Sequence, residues 1–261
     1  MTTASAAAPV HAAVEGGVCT ITLARPPVNA LDDTLVDALH AAIDAACQDD
    51  RVAVLHLRSD CKAFCAGADL ALMQESIRTA RGLEDMLALV RRLQELARRI
   101  ERAPLVTMAE LGGAALGGGF ELALACDLRI AAHEARVGLP EAGLGLLAAA
   151  GGTQRLTRLV GPGLASRLIL GAEVLDGAAA ERLGLVQWTV PRAELEAAAR
   201  ALAGRIAGLP RAATAAGKQC IAAALDPGRD GFAEEVACTR QLYQHPVTRE
   251  RVAAFLARGS R

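Results

Sequence analysis

Leu111-Gly-Gly-Ala-Ala-Leu-Gly-Gly-Gly-Phe-Glu-Leu-Ala-Leu-Ala-Cys-Asp127 is the stretch on which the reading of this chain turns. Gly117, Gly118 and Gly119 open an apolar run with helical spacing that holds a single acid, Glu121. Glycine permits a sharp turn and lets a ligand come close to the main chain. The first N–H groups of a helix have no partner inside it, so a helix that opens on glycines offers donors to a carbonyl oxygen on which negative charge develops. Glu121 lies among Phe120, Leu122 and Leu124, where a carboxylate is costly unless it is used or paired.

A second acid follows in Val137-Gly-Leu-Pro-Glu-Ala-Gly-Leu-Gly145. Glu141 taken alone is an ordinary loop carboxylate. Taken with Glu121 and the glycines it completes a set: donors for a developing oxyanion and two carboxyl groups for proton transfer. Enolate chemistry needs these parts.

Working outward, Val18–Leu23 alternates and is expected as a strand ended by Arg25-Pro26-Pro27-Val28-Asn29. Asp32 or Asp33 is placed to cap a helix whose apolar face is Leu35, Leu39, Ala42, Ile43 and Ala46. Val52–Leu57 reads as a buried strand, with His56 as a packed core histidine. Lys62-Ala-Phe-Cys-Ala-Gly-Ala-Asp69 is a small-residue loop directly after it, the place where α/β proteins keep their sites. Leu83 to Ile100 has amphipathic helical spacing, Pro104–Met108 is a third strand and Asp127–Ala131 a fourth. Beyond Gly151 the pattern is almost wholly helical, broken at Gly161-Pro162-Gly163 and Asp226-Pro-Gly228. Residues 1–12 are expected to be loose. The fold class is therefore α/β.

Composition narrows the function. A formal net charge of −1 and 2% aromatic residues argue against a nucleic-acid surface, which needs a basic stripe or stacking rings. No apolar run reaches membrane-spanning length, so no membrane association is expected. Seven cysteines, an odd number, mostly in apolar segments, fit free thiols in a reducing cytoplasm. Cys61 and Cys65 lack the second pair or histidine of a metal site, and none is expected. There is no Gly-x-Ser-x-Gly elbow, no Gly-Lys-Ser/Thr and no clean Gly-x-Gly-x-x-Gly fingerprint. Cys65 has no histidine near it in sequence and sits between Phe64 and Ala66, the setting of an inert thiol.

Four ordered motifs resemble the enoyl-CoA hydratase/isomerase (crotonase) superfamily: Arg25-Pro26 to Leu31, Lys62–Asp69, Leu116–Asp127, and Pro140-Glu141 with Gly151-Gly-Thr-Gln-Arg-Leu156. The resemblance implies a crotonase-like spiral of ββα turns over residues 1–190. It also implies a helical region over 191–261 that assembles a homotrimer or a dimer of trimers. It implies an acyl-CoA thioester as substrate and no separate cofactor. The N–H groups of Ala68 and Gly118 would bind the thioester oxygen. Main-chain atoms about Pro27, Val28 and Ala66 would meet the adenine end of CoA, with Lys62 near its phosphates. The loop through Gly67, Asp69 and Leu70 would complete that wall, the Asp69 and Asp127 side chains being structural. Glu121 would activate water and Glu141 would deliver a proton to the α carbon. Hydration of a 2-enoyl-CoA is favoured by retention of both acids; double-bond isomerisation with one working acid, another acyl-CoA reaction of the superfamily, and a non-catalytic acyl-CoA binder are the alternatives. The segment Leu147-Ala-Ala-Ala150 and the C-terminal run from His245 depart from the family pattern.

Overall fold

A computed structural model describes residues 8–259. Six strands form the main sheet in the order β1 (Val10–Glu15), β2 (Val18–Leu23), β3 (Val54–Ser59), β4 (Val106–Leu111), β6 (Leu128–Ala132) and β9 (Trp188–Val190). All neighbours after the β1–β2 hairpin are parallel. The strands in between, β5 (Ala115–Leu116), β7 (Arg136–Gly138) and β8 (Val174–Asp176), make a second, three-stranded sheet. The glycine stretch is where the chain leaves β4 of the main sheet for β5 of the small one.

Parallel strands need crossovers, and helices supply them. Helix α1 (Asp33–Gln48) links β2 to β3; the Asp32 side chain accepts from Leu35 N, and Leu35, Val36, Leu39, Ile43 and Ala46 are buried. Helices α2 (Leu70–Arg78) and α3 (Ala80–Arg102) link β3 to β4. Helix α4 (Gly118–Leu124) follows the triple glycine, and α5 (Gly152–Leu170) carries a non-helical Gly161 ahead of Pro162. Helices α6 (Gly177–Arg182) and α7 (Leu195–Ala207) follow, and α7 packs on β2, β3, β4 and β6. Helices α8 (Arg211–Ala223), α9 (Gly231–Gln244) and α10 (Pro246–Gly259) complete the chain. Among the described residues no helix is long and apolar enough to cross a membrane.

Three sequence expectations need correction. Residues 10–12 are not loose: they belong to β1, which pairs Val10 with Leu23 through Glu15 with Val18. Residues 1–7 lie outside the described part. The region after Gly151 is not almost wholly helical, because β8 and β9 interrupt it. These strands of three residues are defined by partners far along the chain, not by a local pattern. The apolar run read as a strand from Val52 begins its ladder at Val54 and continues to Ser59. His56 is buried, as expected of a core residue, with Glu110 Oε2 at 3.0 Å from its Nε2.

One buried side chain ties the first loop to the loop after β3. Asn29 Nδ2 donates to Ser59 Oγ at 2.7 Å, Phe64 O at 2.9 Å and Ala63 O at 3.3 Å. Asn29 Oδ1 accepts from Arg25 N at 2.8 Å. The residue has φ +52°, a left-handed conformation that asparagine tolerates better than most residues. Asn29→Ala removes all of these bonds and takes from the buried Phe64 carbonyl its Asn29 donor. The expected cost is roughly 2–4 kcal/mol, read as a lower midpoint in urea with the slope unchanged; a loss under about 0.5 kcal/mol would contradict the assignment.

Candidate active site

Residues 65–69 form the middle of a laced, three-part arrangement. On one side Ala66 N donates to Val28 O, Leu31 N to Gly67 O and Asp69 N to Leu31 O, at 2.8–3.0 Å. On the other, Cys65 N donates to Ala114 O at 3.1 Å and Leu116 N to Cys65 O at 3.0 Å. Leu31 bridges Ala68 in parallel fashion. In that geometry one residue bonds the neighbours of its partner, so the partner's own N–H points away. Among the described residues Ala68 N–H is thus left without a protein partner, and so is Gly118 N–H at the first position of α4.

The two free amides belong to loops in direct contact. A Cβ on Gly67 would stand 3.1 Å from Leu116 O and 3.6 Å from Gly118 N; one on Gly118 would stand 3.8 Å from Gly67 Cα. The approach is close at Gly113 and Gly119, where a Cβ would lie 2.0 Å from Lys62 O and 2.1 Å from Cys65 O respectively. Gly117 makes the turn between β5 and α4 with φ +52°, and its own N–H is held by Gly138 O.

Both glutamates reach the same place. Glu121 is buried on α4; Gly152 N donates to its Oε1 at 2.6 Å, and a Cβ on Gly118 would lie 3.9 Å from its Oε2. Glu141 stands in the 3-10 turn Pro140–Leu144, and its Oε1 would be 2.7 Å from a Cβ on Gly117. Its Oε2 is buried with no hydrogen-bond partner among the described residues.

Their environments shift their protonation. Burial raises Glu121 to about 7, the Gly152 and Ala150 amides oppose the rise, and the Glu141 charge adds to it. Burial also raises Glu141. Two interacting carboxyls titrate as a pair, so near neutral pH the site can hold one proton between them. The Cys65 thiol is pushed up to about 12 by burial and donates to Asn29 O at 3.0 Å, so it is held as a thiol.

The remaining expected positions divide. Pro27, Lys62, Ala66 and Leu70 are exposed, and Val28 is half-buried. Asp69 is occupied: it caps α2 by accepting from Ala71 N at 2.9 Å and meets Arg25 Nη2 at 3.0 Å. Asp127 is likewise engaged, accepting from Thr107 N at 2.8 Å and Lys218 Nζ at 2.8 Å. Sequence reasoning gave no role to Gly152, whose amide fixes Glu121. The only local signal was the pair Gly151-Gly152 at a helix start. A Cβ on Gly152 would lie 2.9 Å from Glu121 Cγ and Oε1.

Comparison with known proteins gives the family. The sequence model of the enoyl-CoA hydratase/isomerase family matches residues 13–260. The chain belongs to that family. It is 39% identical over 199 residues to a probable enoyl-CoA hydratase of Bacillus subtilis, covering 76% of each chain. It is 44% identical over 181 residues to a crotonyl-CoA hydratase of Syntrophomonas wolfei, covering 69% of this chain and 67% of that one. Among solved structures, the enoyl-CoA hydratase of Bacillus anthracis superposes with a TM-score of 0.89 at 31% identity over 96% of both chains. The fold is crotonase-like, and the family member described here has the α/β core expected of it.

The buried acid carries a stability signature. A folded value of about 7 against 4.5 means that stability is full below about pH 4.5 and declines as pH rises to about 7, by about 3 kcal/mol in all. Glu121→Gln keeps an acceptor for Gly152 N–H and removes the charge. We expect this variant to melt several degrees above wild type at about pH 8 and to match it at about pH 4.5. Equal melting temperatures at both values would contradict the burial of a titrating carboxyl.

Proposed function

We propose that the protein is a 2-enoyl-CoA hydratase. The observation that carries this reading is the convergence of two acids, Glu121 and Glu141, on Gly117 and Gly118 beside the free amides of Ala68 and Gly118. The thioester oxygen accepts from both amides. Glu121 takes a proton from water as the water oxygen bonds the β carbon; the π electrons move toward the carbonyl, whose oxygen gains the negative charge of an enolate. Glu141 gives its proton to the α carbon as the carbonyl re-forms. The sum is addition of one water across the double bond, with one proton moved from Glu141 to Glu121. Returning that proton through solvent resets the pair.

Preorganised amides suit this task because they need no rearrangement as charge develops, and one such donor is typically worth about 100- to 1000-fold in rate. CoA lies along the rim of Pro27, Val28, Lys62, Ala66, Gly67 and Leu70, brought by the substrate, so no further cofactor is required. Asp69 serves that rim as the side-chain cap of α2 and not as a ligand. Residues 191–261 supply the assembly contacts of a homotrimer or a dimer of trimers. In support, Phe232, Val236, Tyr243 and Phe255 on α9 and α10 are exposed, a larger apolar display than a lone chain usually carries. We assign the protein to the cytoplasm on its free thiols.

With a short 2-enoyl-CoA, purified protein is expected to bleach the conjugated thioester absorbance. Glu121→Gln and Glu141→Gln are each expected to lower the rate by about 100- to 10,000-fold. Near wild-type turnover by both variants contradicts the two-acid mechanism. A shift of the double bond in a 3-enoyl thioester, with no solvent oxygen taken up, selects isomerisation instead.

A further inference from the structure

The turn Ala149–Gly151, which leads into α5 at Gly152, offers Glu121 its hydrogen-bond donors and is not part of a sheet. Something must hold it. Helix α3 does so at two points. Gln94 Nε2 donates to Ala149 O at 2.7 Å. Seven residues along the same helix, Glu101 grips Arg155 of α5 with two bonds, Nε to Oε1 at 2.8 Å and Nη2 to Oε2 at 2.7 Å. The remaining arm of that guanidinium, Nη1, donates to Ala150 O at 3.0 Å. The backbone N–H of the same Arg155 closes on Gly151 O at 2.9 Å. Arg155 therefore fastens the turn through both its main chain and its side chain.

The glycines of the turn fit this arrangement. Gly151 has φ +110°, and a Cβ on it would lie 2.1 Å from Arg155 Nη1. The guanidinium thus occupies the space a side chain would take. The arginine is nearly sequestered, with 10% of its side chain exposed, while Glu101 is at 37%. A two-pronged guanidinium–carboxylate pair fixes orientation as well as distance. The planar fork held by Glu101 sets the Ala150 carbonyl, and two residues later the Gly152 amide reaches Glu121.

We propose that Arg155, held by Glu101, is a positioning residue for Glu121: by fixing the Ala150 carbonyl it aims the Gly152 N–H at Glu121 Oε1. Its role in turnover rests on the hydratase reading; its role in placing Glu121 does not. Two charged groups face Glu121, Glu141 from the 3-10 turn and Arg155 from α5. Arg155 lowers the proton affinity of Glu121 both by its charge and by keeping the amide in place. Loss of the arginine must then move Glu121 titration upward.

The test uses full-length Arg155→Met and Arg155→Lys, with two readouts. One is steady-state hydration of a 2-enoyl-CoA across pH. The other is the carbon-13 NMR titration of the Glu121 carboxyl in glutamate-labelled protein without ligand, assigned by its disappearance in Glu121→Gln. For Arg155→Met we expect kcat to fall about ten- to a hundredfold with KM changed less than about twofold. We also expect the kcat profile and the Glu121 resonance both to titrate at higher pH. Arg155→Lys keeps the charge but loses the fork, so it should deviate in the same direction and by less. A folded Arg155→Met protein with unchanged kcat and an unchanged Glu121 titration overturns the proposal. If that variant does not fold, unchanged values in Arg155→Lys overturn it. If wild type hydrates no enoyl thioester, the hydratase reading fails alone, and the carboxyl titration still decides whether Arg155 places Glu121.

Discussion

The site depends on backbone hydrogen bonds along both edges of residues 65–69. Val28 and Leu31 hold one edge, and Ala114 and Leu116 the other. The lacing brings together chain segments that follow three different elements: the end of β2, the end of β3 and the end of β4. Because the bonding residues alternate with unbonded ones, Ala68 keeps a spare amide where the ladder ends. Gly118 keeps another because it opens a helix. Small residues are required throughout: the Cβ that any other residue would place at Gly119 would sit 2.1 Å from Cys65 O and force the loops apart.

The second constraint is electrostatic. Glu121 is buried and Glu141 half-buried, and Glu141 Oε2 has no hydrogen-bond partner among the described residues. Folding alone disfavours such an arrangement, since burial opposes ionisation and each negative charge opposes the other. Gly152 and the elements behind it offset part of that cost at Glu121 and fix which oxygen faces the ligand. The chemistry uses what the fold finds expensive: a carboxyl near neutrality accepts or gives a proton with little penalty in either direction.

Much of this was legible in the chain itself. Asp32 with Leu35, Leu39 and Ile43 announces α1 by cap and spacing, and the triple glycine followed by Phe120 and Glu121 announces a turn into a helix that carries a buried acid. Other features carry no local signal. Strand β1 is exposed along most of its length and gains its structure from pairing with β2. Strands β8 and β9 are three residues each and exist through partners distant in sequence. The bond from Gly152 to Glu121 joins residues 31 apart, and no spacing rule predicts it. Glu141 taken alone is an ordinary loop carboxylate; in sequence only its company with Glu121 and the glycines marks it, and the fold sets it against Gly117.

Family membership follows from sequence and fold together, and the reaction proposed for this chain follows from how these atoms meet a substrate. The most direct measurement is a crystal structure with a bound, slowly reacting acyl-CoA. The account predicts that the amide nitrogens of Ala68 and Gly118 both lie about 2.7–3.1 Å from one thioester oxygen, with Glu121 and Glu141 on either side of the adjoining carbons. A thioester oxygen bound by neither amide, or acyl carbons lying away from both carboxyl groups, would contradict it.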